Sequence, residues 1–326
     1  MIRNFEDPMK ILVTGGSGFI GYHLGKLLSD KGCQVTLLDN LDAEKLDDEL
    51  IALIEKPNVS YVQVDLSDMD AASKLDKDFT HIVHFAALLG VQNVLKNSFD
   101  VLKLNTELVI NTIELAKQQK SASVSFCLNQ RSLCWTLEAG CLEIPSPETS
   151  RLVLPKLDSP RTSYMLSKIY GEALCQHSNL PCTILRPHNI YGPRMGMRHV
   201  IPELLRKAST AEGEAIEVFS LHHSRTFCYV SDAVNMIFEL MQNKDAIGHV
   251  FNIGNQGPEI MMGDLAKLII DIVEKDLAIT DMGTTQGSPK RRAPEMTRLK
   301  NLTGYKSEVF LQDGIKKCAE WYDKKV

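Results

Sequence analysis

The sequence predicts an α/β fold in which helices cover both faces of a largely parallel β-sheet. Apolar, β-branched runs alternate with segments of helical periodicity along the first half of the chain, and glycines stand where the first run meets the first helix. This alternation favours parallel strands joined by crossover helices. With 326 residues, of which 44% are hydrophobic, the chain can bury a large core in one or two lobes.

The elements follow in order along the chain. KILVTGG is a strand that ends in glycine, and GFIGYHLGKLLSDKG then changes to helical period. QVTLLDN, VSYVQVDL and HIVHFAA are predicted as the next three strands, and DAEKLDDELIALIEK as the helix between the first two of them. LQDGIKKCAEWYDKK is a closing amphipathic helix.

The first strand-to-helix turn has the pattern of a dinucleotide site. Gly15, Gly18 and Gly21 stand at three-residue steps, where the lack of a Cβ lets the backbone approach a pyrophosphate and lets the helix pack closely on the strand. Asp39 follows at the end of the second strand, 18 residues after Gly21. A carboxylate there accepts hydrogen bonds from ribose hydroxyls and repels a 2′-phosphate, so NAD is favoured over NADP.

A second pattern, SYMLSKIYGE, places Tyr164 and Lys168 four residues apart on one face of a helix. An ammonium held near a phenol favours the phenolate and lowers a pKa that is ordinarily about 10. The pair therefore suits a general base that works near neutral pH. A solvated helix face is the alternative interpretation of this spacing by itself.

With TGGSGFIG, Asp39 and YMLSK in this order, the chain resembles the extended short-chain dehydrogenase/reductase family, specifically its NAD-dependent sugar-nucleotide epimerases and dehydratases. VDLSD, HFAALLGV, RPHNIYGPR, RTFCYVSDA and RRAPE are similar to further motifs of that family. The resemblance implies a Rossmann-like doubly wound sheet in an NAD-binding domain of residues 1–187, to which 226–256 return. Residues 188–225 and 257–326 would form a smaller nucleotide-sugar-binding lobe.

The resemblance also implies roles for individual residues. Tyr164 and Lys168 would be catalytic, and Asn189, Arg225 and Arg292 would bind the substrate diphosphate, since guanidinium groups suit phosphate oxygens. The residues implied in cofactor binding are Gly15, Gly18, Phe19, Ile20, Gly21, Asp39, Asn40, Asp65, Leu66, Ala86, Ala87, Asn105, Tyr164 and Lys168.

The reaction implied by the resemblance passes through a 4-keto sugar nucleotide. We expect 4-epimerisation of a UDP-sugar, because this branch needs the fewest added groups. A 4,6-dehydratase and a UDP-glucuronate decarboxylase are the alternatives within the family. A catalytically silent protein that binds NAD and nucleotide sugars is the alternative of another class, and an ordinary alcohol dehydrogenase is a third.

One stretch departs from the family. SFCLNQRSLCWTLEAGCLEIP, residues 125–145, lacks the SSxxVYG or STxEVYG motif whose hydroxyl would contact the reacting sugar oxygen. Ser132 is the replacement that we favour, and Ser125 or a loss of this role are the alternatives. A shifted reading frame is a further hypothesis: one choice of codons for residues 129–135, read one nucleotide later, encodes Thr-Lys-Glu-Val-Tyr-Val-Gly. The activity of the chain depends on this stretch.

Charge, hydropathy and histidine spacing limit the kinds of partner that the sequence predicts. A net charge of −5 spread along the chain offers no basic stripe for nucleic acid and no amphipathic membrane anchor. The sequence has no apolar run of about 18 residues, so we expect a cytoplasmic protein. The adjacent His222 and His223 lack ligands at suitable spacing, and we expect no metal site. The resemblance implies a homodimer.

Overall fold

The computed structural model describes residues 9–41, 46–76, 78–88, 91–119, 123–128, 143–152, 154, 156–285 and 288–324. The chain forms two compact units. The first comprises Met1–Gln130, Leu154–Arg186 and Val234–Phe251, and the second comprises Arg131–Val153, Pro187–Ala233 and Asn252–Val326. The assignment of cofactor and substrate lobes to particular residues stays a prediction.

The first unit is built on a seven-stranded sheet with the order β11-β6-β5-β4-β1-β2-β3. Every strand pair from β3 to β6 is parallel. This order is that of a doubly wound sheet, in which the chain leaves the centre in both directions, so the predicted fold class is confirmed. The strands are β1 (Lys10–Thr14), β2 (Gln34–Asp39), β3 (Val59–Gln63), β4 (His81–His84), β5 (Ser123–Cys127), β6 (Cys182–Pro187) and β11 (Val250–Ile253).

Helices alternate with strands along the chain in both units. They are α1 (Phe19–Asp30), α2 (Asp48–Ile54), α3 (Met69–Ala72), α4 (Val91–Lys96), α5 (Ser98–Lys117), α6 (Pro160–Gln176), α7 (Val200–Ser209), α8 (Val230–Gln242), α9 (Met262–Ile272), α10 (Thr297–Thr303) and α11 (Leu311–Asp323). The long helices α5 and α6 pack against each other. Their placement brings α6 onto the sheet beside β5 and β6.

The second helix begins later than the sequence predicts. The prediction covers residues 42–56, of which 42–45 lie outside the described residues, and the helix starts at Asp48. The carboxylate of Asp47 accepts a hydrogen bond from the backbone N–H of Leu50 at 3.0 Å. A side-chain cap of this kind fixes the start of a helix because it satisfies one of the unpaired amides of the first turn.

The core of the first unit lies on both faces of the central strands. Leu12, Ile82 and Val124 on neighbouring strands are completely buried, as is Val101 on α5. A parallel strand that is covered on both faces is apolar at nearly every position, which explains why KILV and HIV carry no strict alternation. The carboxyl ends of these strands face the same edge of the sheet, where ligands of doubly wound folds bind.

Within the residues that the structure describes, the second unit contains three small sheets. Strands β10 (Cys228–Tyr229) and β7 (Ile190–Tyr191) pair in parallel, and β13 (Ala278–Asp281) pairs in parallel with β8 (Ala215–Val218). The third sheet has the order β12 (Ile260–Met261), β9 (Ser224–Arg225) and β14 (Arg291–Arg292). None of the helices in the described part of the chain is long and apolar enough to cross a membrane.

Candidate active site

The turn between β1 and α1 can only be built from glycine at two of its positions. Gly15 has a φ of +70°, and a Cβ there would lie 2.8 Å from the amide nitrogen of Ala86. A Cβ on Gly21 would lie 2.2 Å from the carbonyl oxygen of Gly15. Both distances are shorter than a van der Waals contact, so the backbone of the turn closes tightly on the start of α1 and on the loop after β4.

The start of α1 is open to an anion. The helix begins at Phe19 after Gly18, and no side chain among the described residues caps it. Gly18 donates its amide hydrogen to the carbonyl of Gly15 at 3.1 Å, while the following amides of the first turn lie at the positive end of the helix dipole. Phe19 and Ile20 therefore occupy positions whose backbone amides suit a pyrophosphate, and the turn fits a dinucleotide.

Asp39 is held at the end of β2 beside this turn. Its Oδ2 accepts a hydrogen bond from the backbone N–H of Ser17 at 3.1 Å, and its Oδ1 accepts one from the backbone N–H of Leu41 at 3.2 Å. These bonds fix the orientation of the carboxylate and attach it to the glycine turn. Each carboxylate oxygen can accept a further hydrogen bond, as a ribose diol requires.

Asn40 and Asp65 are brought together next to Asp39. The Oδ1 of Asp65 accepts hydrogen bonds from the backbone N–H and the hydroxyl of Ser67, at 2.9 and 2.7 Å. These bonds, with a weaker one from the Asn40 side chain, hold the pKa of Asp65 below its ordinary value. Leu66 is buried behind them. The carboxylate of Asp65 therefore stays charged and is fixed at a position that the resemblance implies in cofactor binding.

The loop after β4 carries Ala86 and Ala87 and is fixed from α5. Asn105 is 2% exposed, and its Oδ1 accepts a hydrogen bond from the backbone N–H of Leu88 at 2.7 Å. Its Nδ2 donates to the carbonyl of the same residue at 3.3 Å. Asn105 therefore binds the backbone of this loop at two points, the N–H and the carbonyl of Leu88.

Tyr164 and Lys168 lie on the buried face of α6, and each is 7% exposed. The Nζ of Lys168 lies 5.5 Å from the centroid of the Tyr164 ring. Burial lowers the pKa of Lys168 to about 8, and a neighbouring Cys127 at the end of β5 opposes this shift. At neutral pH most Lys168 side chains are charged, so an ammonium stands beside the phenol.

A buried group of three residues, His84, Thr14 and Thr112, was missed by the sequence analysis. The Nδ1 of His84 lies 2.9 Å from the Oγ1 of Thr14 and 2.9 Å from the Oγ1 of Thr112. Burial, with a contribution from Lys168, lowers the pKa of His84 to about 3. The string HFAA contains this histidine, but Thr14 and Thr112 lie 70 and 28 residues away in the chain, so only the tertiary structure reveals the group.

In the second unit, the two predicted arginines are neighbours. Arg225 on β9 is in register with Arg292 on β14, and residues paired in this way project from the same face of a sheet. The guanidinium of Arg225 donates to the Oγ of Ser288 at 2.9 Å and to the carbonyl of Lys290 at 3.3 Å. Two adjacent guanidinium groups repel each other unless an anion lies between them, so this face suits a phosphate group.

Asn189 lies near the same sheet, but its amide has a backbone partner. Its Nδ2 donates to the carbonyl of Thr226 at 2.8 Å, and its own carbonyl accepts from the N–H of Cys228 at 3.2 Å. A φ of +44° places Asn189 in the left-handed region, where asparagine is one of the tolerated residues. Ser132 and the rest of residues 129–142 lie outside the described residues.

Comparison with known proteins decides the family. Residues 11–254, about three quarters of the chain, match the NAD dependent epimerase/dehydratase family. The chain belongs to that family. It is therefore an NAD-dependent enzyme of this type, and the predicted cofactor and family are confirmed.

Curated relatives align with nearly the whole length of this chain. A UDP-N-acetyl-alpha-D-glucosaminuronate decarboxylase from Bacillus cytotoxicus is 27% identical over 96% of this chain and 97% of its own. UDP-glucuronic acid decarboxylase 1 from Xenopus tropicalis is 28% identical over 98% of this chain and 74% of its own. A crystal structure of UDP-glucose 4-epimerase from Thermotoga maritima has a TM-score of 0.81 at 24% identity, over 97% of this chain and 99% of that one. At this identity the structural likeness concerns the fold.

Proposed function

We propose that the enzyme converts a nucleotide-activated sugar through a 4-keto intermediate, and that the reaction is 4-epimerisation of a UDP-sugar. The observation that carries this proposal is the buried Tyr164 and Lys168 pair on α6, with the ammonium 5.5 Å from the phenol ring. A base of this kind serves to remove the proton of a sugar hydroxyl while the attached carbon is oxidised.

The residues proposed to hold NAD are the glycine turn for the pyrophosphate, Asp39 for the adenosine ribose, and Lys168 for the nicotinamide ribose. Bound there, NAD supplies the hydride acceptor for the sugar carbon and the donor for its later reduction. Tyr164 accepts the hydroxyl proton in the first half of the reaction and returns it in the second. Lys168 stabilises the phenolate because it carries its positive charge at neutral pH.

Arg225 and Arg292 are proposed to bind the substrate diphosphate. Their register pairing across β9 and β14 presents two guanidinium groups on one face of the sheet, and each can bind phosphate oxygens in a bidentate manner. The adjacent Arg291 pairs with Glu259, since its Nη2 lies 2.5 Å from a carboxylate oxygen of that residue.

Decarboxylation of a UDP-uronate is the second candidate. The curated relatives from Bacillus cytotoxicus and Xenopus tropicalis are both decarboxylases of UDP-uronates by name, and their 27% and 28% identity extends over 96% and 98% of the chain. Chemically, oxidation at C4 of a uronate gives a β-keto acid, which loses carbon dioxide without a further catalytic acid. The same tyrosine and lysine can therefore serve either branch.

A homodimer is proposed from the outer surface of α5 and α6. Phe99 and Ile110 on α5 are 75% and 38% exposed, and Tyr170 on α6 is 51% exposed. Apolar side chains on two helices that already pack together form a surface that a second copy can cover. Sedimentation velocity measures this assembly directly, and a monomer at micromolar concentration would contradict the proposal.

The function is tested by incubating the purified protein with NAD and a panel of UDP-, dTDP- and GDP-sugars, followed by NMR and mass spectrometry of the products. Epimerisation leaves the mass unchanged and inverts the coupling pattern at C4, whereas UDP-glucuronate that loses carbon dioxide identifies the second candidate. Tyr164→Phe is the matched control and should bind NAD but form no product. A thermal shift with NAD and sugar but without any product would show a silent binding protein, and stoichiometric free NADH would show an ordinary alcohol dehydrogenase.

A further inference from the structure

The buried group around His84 has a defined proton arrangement. Thr112 donates its hydroxyl hydrogen to the carbonyl of Leu108 at 2.8 Å, one turn earlier on α5. Its oxygen is therefore available only as an acceptor toward the Nδ1 of His84, 2.9 Å away. The hydroxyl oxygen of Thr14 lies at the same distance from Nδ1. A proton on Nδ1 satisfies both oxygens, whereas a lone pair there would face the lone pairs of Thr112.

This arrangement leaves the other ring nitrogen as an acceptor. With the proton on Nδ1 the neutral ring carries a lone pair on Nε2. Nε2 is completely buried and has no hydrogen-bond partner within the part of the chain that the structure describes. The whole residue is 1% exposed. A buried acceptor without a partner is rare, and such groups are ordinarily satisfied by an internal water molecule.

His84 contacts α5 through Thr112, and α5 packs against α6, the helix that carries Lys168. The charge of Lys168 is one of the two causes that lower the pKa of His84. Lys168 is 7% exposed and carries three N–H donors, which a buried ammonium needs to direct at acceptors. The acceptor nitrogen and the donor ammonium are therefore both buried, and they belong to elements that contact the same helix, α5.

We propose that His84 is a positioning residue for Lys168: its Nε2 accepts a hydrogen bond from an internal water that in turn accepts one from the Lys168 ammonium. Through this link the strand β4 holds the ammonium in the orientation that binds the nicotinamide ribose and faces Tyr164. This inference rests on the proposed role of Lys168, and it assigns to His84 a role in NAD binding rather than in the proton transfer itself.

The first test measures the tautomer and does not depend on turnover. The protein is labelled with 15N in its histidine side chains, and long-range 1H–15N correlation spectra are recorded at pH 7, with His84→Gln used to assign the His84 signals. We expect a neutral ring with the proton on Nδ1. A proton on Nε2, or on both nitrogens, would overturn the proposal whether or not the enzyme acts on sugar nucleotides.

The second test compares two amides that replace one ring nitrogen each. In His84→Gln the side-chain amide reaches the position of Nε2, and in His84→Asn it reaches only the position of Nδ1. We expect His84→Asn to weaken NAD binding about tenfold and His84→Gln to stay within about threefold, as measured by titration calorimetry. If His84 only joins β4 to α5, the order is reversed, because Asn keeps the contacts with Thr14 and Thr112; that result would overturn the proposal.

Thermal unfolding separates this outcome from a folding defect. A variant that unfolds at the temperature of the wild type and has lost NAD affinity supports the positioning role. If His84→Asn is too unstable to assay, Thr112→Val replaces it and is examined by the same tautomer measurement. Loss of the Thr112 hydroxyl should remove the acceptor that fixes the proton on Nδ1 and should leave Nε2 in place. An unchanged tautomer with an unchanged NAD affinity would contradict the proposed connection between His84 and Lys168. Wild-type protein that fails to bind NAD would contradict the proposed function, and the tautomer result would then decide the proposal about His84.

Discussion

The ion pair between Glu172 and Arg186 is expected to hold the helix of the candidate base on the sheet. Arg186 on β6 donates from Nε to one carboxylate oxygen of Glu172 on α6 at 3.1 Å, and from Nη2 to the other at 2.6 Å. The two side chains are only 5% and 12% exposed. Glu172 follows Lys168 by four residues and therefore lies on the same side of α6, one turn further along.

The perturbation is Glu172→Gln, which keeps the shape of the side chain but removes its charge. Removing one partner of a buried pair leaves the other charge uncompensated and typically lowers the free energy of unfolding by 3–5 kcal/mol. A glutamine can still accept one hydrogen bond from Arg186, so we expect a loss of about 3 kcal/mol, at the lower end of this range.

An exposed pair provides the matched control. Glu114 on α5 lies 2.7 Å from the ammonium of Lys117, and these side chains are 48% and 47% exposed. Glu114→Gln changes the same chemical group in a similar helix. Because exposed pairs contribute little in high dielectric, we expect a change below about 0.5 kcal/mol.

The assay is urea unfolding at pH 7, followed by far-ultraviolet circular dichroism with and without NAD. The free energy of unfolding comes from the transition of the first unit, and an unchanged m-value establishes that the compactness of the native and unfolded states is preserved. Equal changes for Glu172→Gln and Glu114→Gln would refute the reasoning, since burial would then have no influence on the strength of the pair.

Three further predictions concern the cofactor site and its surroundings. Asp39→Ala should weaken NAD binding about tenfold or more and reduce the preference over NADP, because the carboxylate that repels a 2′-phosphate is gone; calorimetry with both cofactors measures this, and an unchanged preference would contradict the assigned role. Gly21→Ala places a Cβ 2.2 Å from the carbonyl oxygen of Gly15 and should lower both NAD affinity and stability, the latter by about 1–3 kcal/mol, whereas Gly213→Ala, which meets nothing within 4 Å, should be neutral in thermal unfolding. The pKa of His84 is about 3 in the folded protein and 6.5 ordinarily, so between these values the unfolded chain binds one more proton and the free energy of unfolding falls as the pH falls. From pH 7 to pH 4, urea titrations should show that the wild type loses about 3 kcal/mol more than His84→Gln. Parallel pH profiles of the two proteins would exclude His84 as a source of acid sensitivity.

The sequence alone predicted the features of the site that depend on local backbone geometry. The steps between Gly15, Gly18 and Gly21 predict a tight turn, which the structure shows to require glycine at Gly15 and Gly21, and the spacing of Tyr164 and Lys168 specifies one helix face. The predicted start of α2 was less accurate, because the capping carboxylate of Asp47 was not recognised in an acidic segment. Spacing along the chain reports local backbone conformation, and these motifs are short enough for it to suffice.

Contacts across strands required the tertiary structure. The pairing of Arg225 with Arg292 depends on the register of β9 and β14, and the ring of His84 meets Thr112 only because α5 packs on β4. The resemblance to a family supplied the two arginines individually, but neither their adjacency nor the histidine group was visible in the motifs. Register and packing are set by the whole core, so no local pattern encodes them.

The sequence by itself determined the fold class and indicated the glycine turn and the Tyr164–Lys168 pair as candidate cofactor and base residues, because turn geometry and helix spacing follow from backbone preferences over a few residues. Only the tertiary structure decided how these groups behave chemically. Lys168 has a pKa of about 8 because the fold buries it, and His84 stays neutral for the same reason. Burial depends on what every other part of the chain places around a side chain, and the energy of a charge depends on that surrounding.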